Sequence, residues 1–208
     1  MIDAALRLVV ADLNGWFRRR RAMSTGNDQP ASRASVVVPL DPIVLSNLVD
    51  PDGSLPVETE DKVALVLTRI AEERNVGGSR HAAVREGGEY QRQTVPIYLD
   101  LQVLFAARFR RYEAGLGVLS DVIAYLQAKP VFHHQNTPEM AEDLERLDLT
   151  MLKLDYGEQN HLWGCLGAKY SPSAVYSLRL LPLGRPQLRE IVPVIQELRV
   201  NHAGSLPS

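Results

Sequence analysis

The sequence predicts an α/β (α+β) fold, a central mixed β-sheet flanked by helices. Three observations point there. Ile97 to Phe109 alternates without a break, with Leu99, Leu101, Val103, Phe105 and Ala107 set against Tyr98, Asp100, Gln102 and Arg108. Lys62 to Glu72 is apolar on both faces, as befits a strand inside a sheet covered on both sides. Residues 2–20 and 112–126 instead repeat their apolar residues at helical spacing. The order is helix, several strands, then strand–helix–strand–helix–strand, which suits one domain with helices packed on a sheet.

The bulk composition is that of a globular chain: 208 residues, 45% apolar and 23% charged, enough for one domain with a full core. A net charge of −2 gives no global field for nucleic acid or an anionic membrane. The single Cys165 excludes an internal disulfide and a cysteine zinc cage. It reads as a small buried apolar residue in a reducing compartment. The N-terminal stretch carries acids and lacks the basic start of a signal peptide. No apolar run approaches the ~18 residues of a membrane span. A soluble, cytoplasmic protein is expected.

Along the chain, Ile2, Leu6, Val9, Leu13 and Trp16/Phe17 make the stripe of the first helix. Asp3 near its start and Arg18 to Arg21 at its end favour the helix dipole. The arginines read as a solvated helix end, or as a contact for phosphate or a partner. A flexible loop at about 21–36 follows, then short strands at 36–39 and 43–48. "DPDGS" at 50–54 is a turn. In the Lys62 strand, Val63, Leu65 and Leu67 line one face and Ala64, Val66 and Ile70 the other. "RNVGGSRHAAVREGGEY" is a polar loop or hairpin tip. The Ile97 strand is long for a domain of this size, so it should bend or project at one end. Tyr112, Leu116, Leu119, Ile123 and Leu126 form a helix ending at Lys129 and Pro130. Strands follow at 147–154 and 174–181, with a last extended piece over about 189–199. Pro193 confines that piece to an edge or bulge.

Between the strands at 147–154 and 174–181 lies "GCLGAKYS", superficially a phosphate loop. A Walker loop needs Gly six residues before its Lys, Gly directly before it and Ser or Thr directly after. Those positions hold Trp163, Ala168 and Tyr170. The stretch reads as the end of a short helix, capped by Asp155 with Glu158 in capping-box register and striped by Leu162, Cys165 and Leu166. Gly164 and Gly167 then need a packing reason, since helical glycine costs ~1 kcal/mol against alanine. Spaced three apart, they clear a strip for close approach by the chain's own sheet or by another chain.

Catalytic signatures are sparse. His133 and His134 with Asn136 form the one histidine cluster, without a third ligand at a customary metal spacing. No GxSxG, HExxH or dinucleotide turn is present. No catalytic, cofactor or metal site is assigned.

Four stretches in order resemble one family: "MIDAALRLVVADLN", "IVLSNLVDPDGS" with "DKVALVLTRIAEER", "PIYLDLQVLFAARFRRYEAGLGVLSDVIAYLQAKPVF", and "LWGCLGAKYSPSAVYSLRLL". They are similar to the N-terminal domain of the cap, or tail-terminator, proteins of phage-tail-like contractile injection systems of the antifeeding-prophage-like class. Residues 21–42 are not matched, and the C-terminal extension of longer relatives has no counterpart here. The resemblance implies a tail-terminator-like domain over 1–200, with 201–208 a disordered tail. It also implies a hexameric ring at the distal end of the particle, stopping growth of inner tube and sheath. The implied partners are the inner tube protein and the sheath protein, with no nucleic acid, membrane insertion or cofactor; the isolated subunit would be a monomer. Structural or interface candidates are Trp163, Gly164, Gly167, Lys169, Tyr170, Asn47 and Asp50. The rival readings are a particle adaptor without terminator activity and a hydrolase-like enzyme using the His133/His134 loop.

Overall fold

The computed structural model describes residues 1–24, 38–73, 81–86, 89–94, 98–182 and 190–192. The amphipathic stripe at the start becomes α1 (Ile2–Ser24), and Arg18 to Arg21 at its end are exposed, as a solvated helix end should be. Arg18 pairs with Asp41 at 2.6 Å, and Arg20 pairs with Asp121 at 2.5 Å while its guanidinium lies over the Trp16 ring. β1 (Ile43–Leu45) is shorter than expected, because the backbone after it curls toward the turn at 50–54. There Asp50 N–H donates to Ser54 O and Gly53, at φ 84°, returns its N–H to Asp50 O. Of the strand expected at 36–39, residues 38 and 39 are not in a strand, and 36 and 37 fall outside the described residues.

β2 (Lys62–Glu73) matches the two-faced apolar stretch. β3 (His81–Glu86) and β4 (Glu89–Thr94) turn the polar glycine-rich segment into a hairpin. β5 (Tyr98–Arg108) pairs with β2 along its whole length, so neither end projects past that neighbour. A bulge in β2 between Leu67 and Arg69 shifts the register instead, the usual device for bending a long strand. Ile70, beyond the bulge, is exposed and not part of the second apolar face. α2 (Tyr112–Ala128) follows, then β6 (Val131–His133), a short strand within the "VFHHQ" stretch. β7 (Leu144–Met151) lies about three residues earlier than expected; Leu152 to Leu154 lead into α3 (Tyr156–Leu166). β8 (Ser173–Pro182) and β9 (Glu190–Val192) complete the order.

The chain divides into two compact units, Met1–Glu73 with Ile97–Leu183, and Arg74–Pro96 with Gly184–Ser208. The second unit contains a three-stranded sheet ordered β3-β4-β9, with β9 at an edge; Pro193 and the rest of the extended piece expected over about 189–199 lie outside the described residues. Of the loop expected at about 21–36, residues 21–24 are instead the last turn of α1, and 25–36 lie outside the described residues, as does the tail at 201–208.

The first unit is built on a six-stranded sheet ordered β1-β2-β5-β8-β7-β6. β1 runs parallel to β2, and every other pairing is antiparallel, which makes the sheet mixed. One face (Val63, Leu65, Leu101, Val103, Phe105, Leu178, Leu180) packs against Leu6, Val9 and Leu13 of α1 and Val118, Val122 and Leu126 of α2. The opposite face (Ala64, Val66, Leu104, Ala106, Val175) packs against Trp163 of α3, with Leu48 beside it. Burying one such side chain contributes about 1.5–3 kcal/mol, so this two-sided burial dominates the fold. The outer edge is tied down as well. Asn14 of α1 donates through Nδ2 to Ile43 O and accepts from Ile43 N–H, occupying backbone groups that an edge strand would otherwise expose.

Candidate assembly surface

The end of the six-stranded sheet at which β5 stops collects three connections from distant parts of the sequence. They are the segment from Val49 to Glu60, the "FRR" corner between β5 and α2, and the link from Gly167 to Pro172 between α3 and β8. Together they line a groove of about 960 Å³.

Local rules place each wall. In the first segment, Pro56 precedes a single 3-10 turn at Val57–Thr59, and buried Thr59 anchors it by donating from Oγ1 to Pro56 O at 2.7 Å. At the corner, Asp61 Oδ1 accepts from Arg110 N–H at 2.9 Å, and Glu60 pairs with the Arg110 guanidinium. Arg108 Nη1 donates to Leu48 O at 2.9 Å, bridging the corner to the first segment. Gly115 is the glycine that permits close approach: a Cβ there would lie 3.2 Å from Phe109 Cβ. That contact seats the first turn of α2 on the end of β5.

The third wall answers the question of the two helical glycines. Asp155 caps α3 in a complete capping box with Glu158, as the sequence predicts. Gly167 ends the helix at φ 62°, a left-handed conformation that glycine adopts without strain. Gly164 meets nothing within 4 Å of an added Cβ, so the expected packing against the chain's own sheet does not occur. Cys165 is exposed on the same helix and not buried as its composition suggested, because the face turned to the sheet is the one carrying Trp163.

The rim carries the surface chemistry. Leu55, Val57, Tyr112 and Tyr170 are all exposed, with Val57 at 85%. Aromatic and branched apolar side chains clustered around one concavity are the composition of a contact surface rather than of ordinary solvated loops. Arg108, Arg110 and Lys169 line the groove against one carboxylate, Glu60, which Arg110 neutralises. Lys169 has no ion-pair or hydrogen-bond partner among the described residues.

Among the candidates named from sequence, Gly167, Lys169 and Tyr170 line this groove directly. Trp163 lies behind it, buried and in ring contact with Tyr170. Asp50 holds the turn that carries Val49 and Gly53 into the wall. Asn47 is exposed just before that turn and Gly164 is on the outer side of α3; neither lines the groove. Leu55, Val57, Arg108, Arg110 and Tyr112 were missed. An exposed Leu and Val on either side of a proline, in a segment with no core periodicity, was the available signal.

The histidine loop has a different job. His134 Nε2 bonds Leu144 O at 2.8 Å, while Asn136 accepts from His133 N–H and donates to Val131 O. These bonds shape the turn after β6. Among the described residues no group of three or more His, Cys, Asp or Glu side chains could hold a metal ion, and no helix is long and apolar enough to cross a membrane.

Residues 24–197 match the family described as the Pvc16 N-terminal domain. The chain belongs to the Pvc16 N-terminal domain family. This is the class that the four sequence stretches resemble, but the match leaves out the first of them, residues 1–14, and takes in residues 24–42, which that resemblance did not cover. No curated protein matches the sequence. Two solved structures are similar to this Pvc16_N chain. One is the anti-feeding prophage cap (AFP tube terminating cap), at 15% identity and TM-score 0.44, over 76% of this chain and 54% of that one. The other is the PVC sheath/tube terminator of an extracellular contractile injection system in its extended state, at 17% identity and TM-score 0.36, over 70% of this chain and 52% of that one. The Pvc16_N chain thus spans about half the length of each.

Proposed function

We propose that this chain is a structural assembly protein that caps the distal end of a contractile injection particle. In this reading residues 1–200 act as the assembling domain. Copies close into a hexameric ring that contacts the inner tube protein and the sheath protein and ends the growth of both. The ring forms on the particle assembled in the cytoplasm, and the isolated subunit is a monomer.

The observation that carries the reading is the groove with its exposed Leu55, Val57, Tyr112 and Tyr170, in a chain of the Pvc16 N-terminal domain family. A tube of stacked rings ends in a growth-competent surface. Stopping it requires one face that complements that surface and another that offers no copy of it. A ring in turn needs a heterologous interface whose rotation closes. Apolar contact surface serves such a task, and no reaction is required. The hydrolase-like alternative would need the His133/His134 loop as a catalytic centre, but the His134 ring and the Asn136 amide are engaged with backbone.

Purified tube protein polymerising in the presence of the chain tests the reading. Tubes should stop elongating with the chain bound at one end only. Tubes that elongate normally with the chain bound along their walls would favour the adaptor reading.

A further inference from the structure

The groove lining carries more basic than acidic side chains, although its 49–60 wall also holds Asp50, Asp52 and Glu58 outside the lining, and the segment entering β7 at the other end of the sheet is acidic. β5 and β7 run toward the groove, so β7 begins at the far end, beside the last residue of β8. The segment entering β7 holds Glu139, Glu142, Asp143 and Glu145 and no basic residue. The three glutamates are exposed. Among the described residues, Asp143 alone of these four has an ion-pair partner, the N-terminal amine at 3.8 Å. The groove at the other end presents Arg108 and Lys169, which have no carboxylate partner among the described residues, together with four exposed apolar side chains.

We propose that copies of this chain join head to tail, the acidic 139–145 segment of one copy docking into the basic, apolar-rimmed groove of the next. This rests on the ring reading above and names the surfaces that make the ring. Two different patches on one chain that complement each other give a heterologous contact, the kind that closes into rings. An isologous pairing would set groove against groove, bringing Arg108 and Lys169 of two copies together, which like-charge repulsion opposes. Exposed Pro138, at the head of the acidic segment, offers a rigid apolar prong to the rim of Leu55, Val57, Tyr112 and Tyr170. The charges set register and orientation, and the rim supplies the burial. The net charge of −2 is a sum over 23 basic and 25 acidic residues and does not report how they are distributed.

Particles assembled with a Cys165→Ser chain that also carries Lys169→Cys and Glu142→Cys should, on oxidation, yield disulfide-linked cap multimers on a non-reducing gel. Neither single cysteine should do so. In parallel, Lys169→Glu and Glu142→Lys should each lower the fraction of capped particles about two- to fivefold, the range for one exposed ion pair, and the double reversal should restore it. Four results would overturn the proposal: no link between copies on ends that carry the cap, dimers from Lys169→Cys alone, Lys169→Cys linking to tube or sheath protein, or a double reversal no better than the single ones. Wild-type particle ends without the chain would instead sink the terminator reading itself.

Discussion

The Trp163 indole and the Tyr170 ring meet edge to face, their centroids 5.4 Å apart and their planes at 64°. Trp163 is buried in the second apolar cluster, while Tyr170 is 64% exposed on the groove. The pair therefore connects the core beneath α3 to the contact surface. Trp163→Ala should cost about 3–5 kcal/mol of stability, the range for truncating a buried tryptophan. Tyr170→Ala should cost only the aromatic contact, about 0.5–1.5 kcal/mol, yet impair capping. Denaturant melts of both variants beside a capping assay check the split. An unchanged melt for Trp163→Ala with failed capping would make Trp163 an interface anchor instead.

Gly164 and Gly167 should respond to alanine with opposite signs. At Gly164 there is open space around an added Cβ in a helical backbone, so Gly164→Ala should stabilise by about 0.4–1 kcal/mol. At Gly167 the left-handed φ of 62° strains any L side chain, so Gly167→Ala should destabilise by about 1–2 kcal/mol. Thermal melts of the two variants decide it. Stabilisation by Gly164→Ala with loss of capping would show that another chain packs against that strip.

Alkaline pH should loosen the packing of α1 on α2. Burial first, then the hydrogen bond to Asp12, push the Tyr125 phenol above its ordinary value of 10.0, and burial pushes Tyr176 in the same direction. Asp12 also pairs with Lys129 at 3.0 Å. A phenol with a raised folded-state pKa favours the folded chain fully below pH ~10 and loses that contribution as pH rises further, because the unfolded phenol ionises first. Stability followed by circular dichroism should decline above pH ~10, and less steeply in Tyr125→Phe. Identical alkaline profiles for the two would remove Tyr125 from the account.

The fold was legible where burial imposes a period. β5 and β2 follow directly from the alternation of Leu99 to Ala107 and the two-faced run from Val63 to Leu67. α2 lies where its stripe placed it, but Tyr112 and Leu116 of that stripe are exposed, and Val118, Val122 and Tyr125 are buried instead. The capping box at Asp155 was equally plain, because a cap is a local signal. Ile70 and Cys165 were misplaced for the same reason: apolar type suggests burial, but a bulge and a helix rotation turned both outward. Part of the candidate surface was visible in Gly167, Lys169 and Tyr170. The rest was not, since Leu55 and Val57 lie far in sequence from the corner that carries Arg108, Arg110 and Tyr112, and the two meet only through sheet order.

Replacing both histidines, His133→Ala with His134→Ala, should leave particle assembly intact. The His134 ring bond to Leu144 O is worth about 0.5–1.5 kcal/mol, so a small drop in melting temperature is the expected result. Loss of a stoichiometric metal together with loss of function would contradict the structural reading of this loop.

Deleting the gene and measuring the lengths and ends of purified particles by electron microscopy tests the terminator reading most directly. Without a cap, nothing stops tube and sheath growth, so lengths should spread and ends should fray. Adding the chain back should restore one length class, with ring density at a single end. Deletion particles of normal length with intact ends would contradict the terminator account and leave the chain an adaptor.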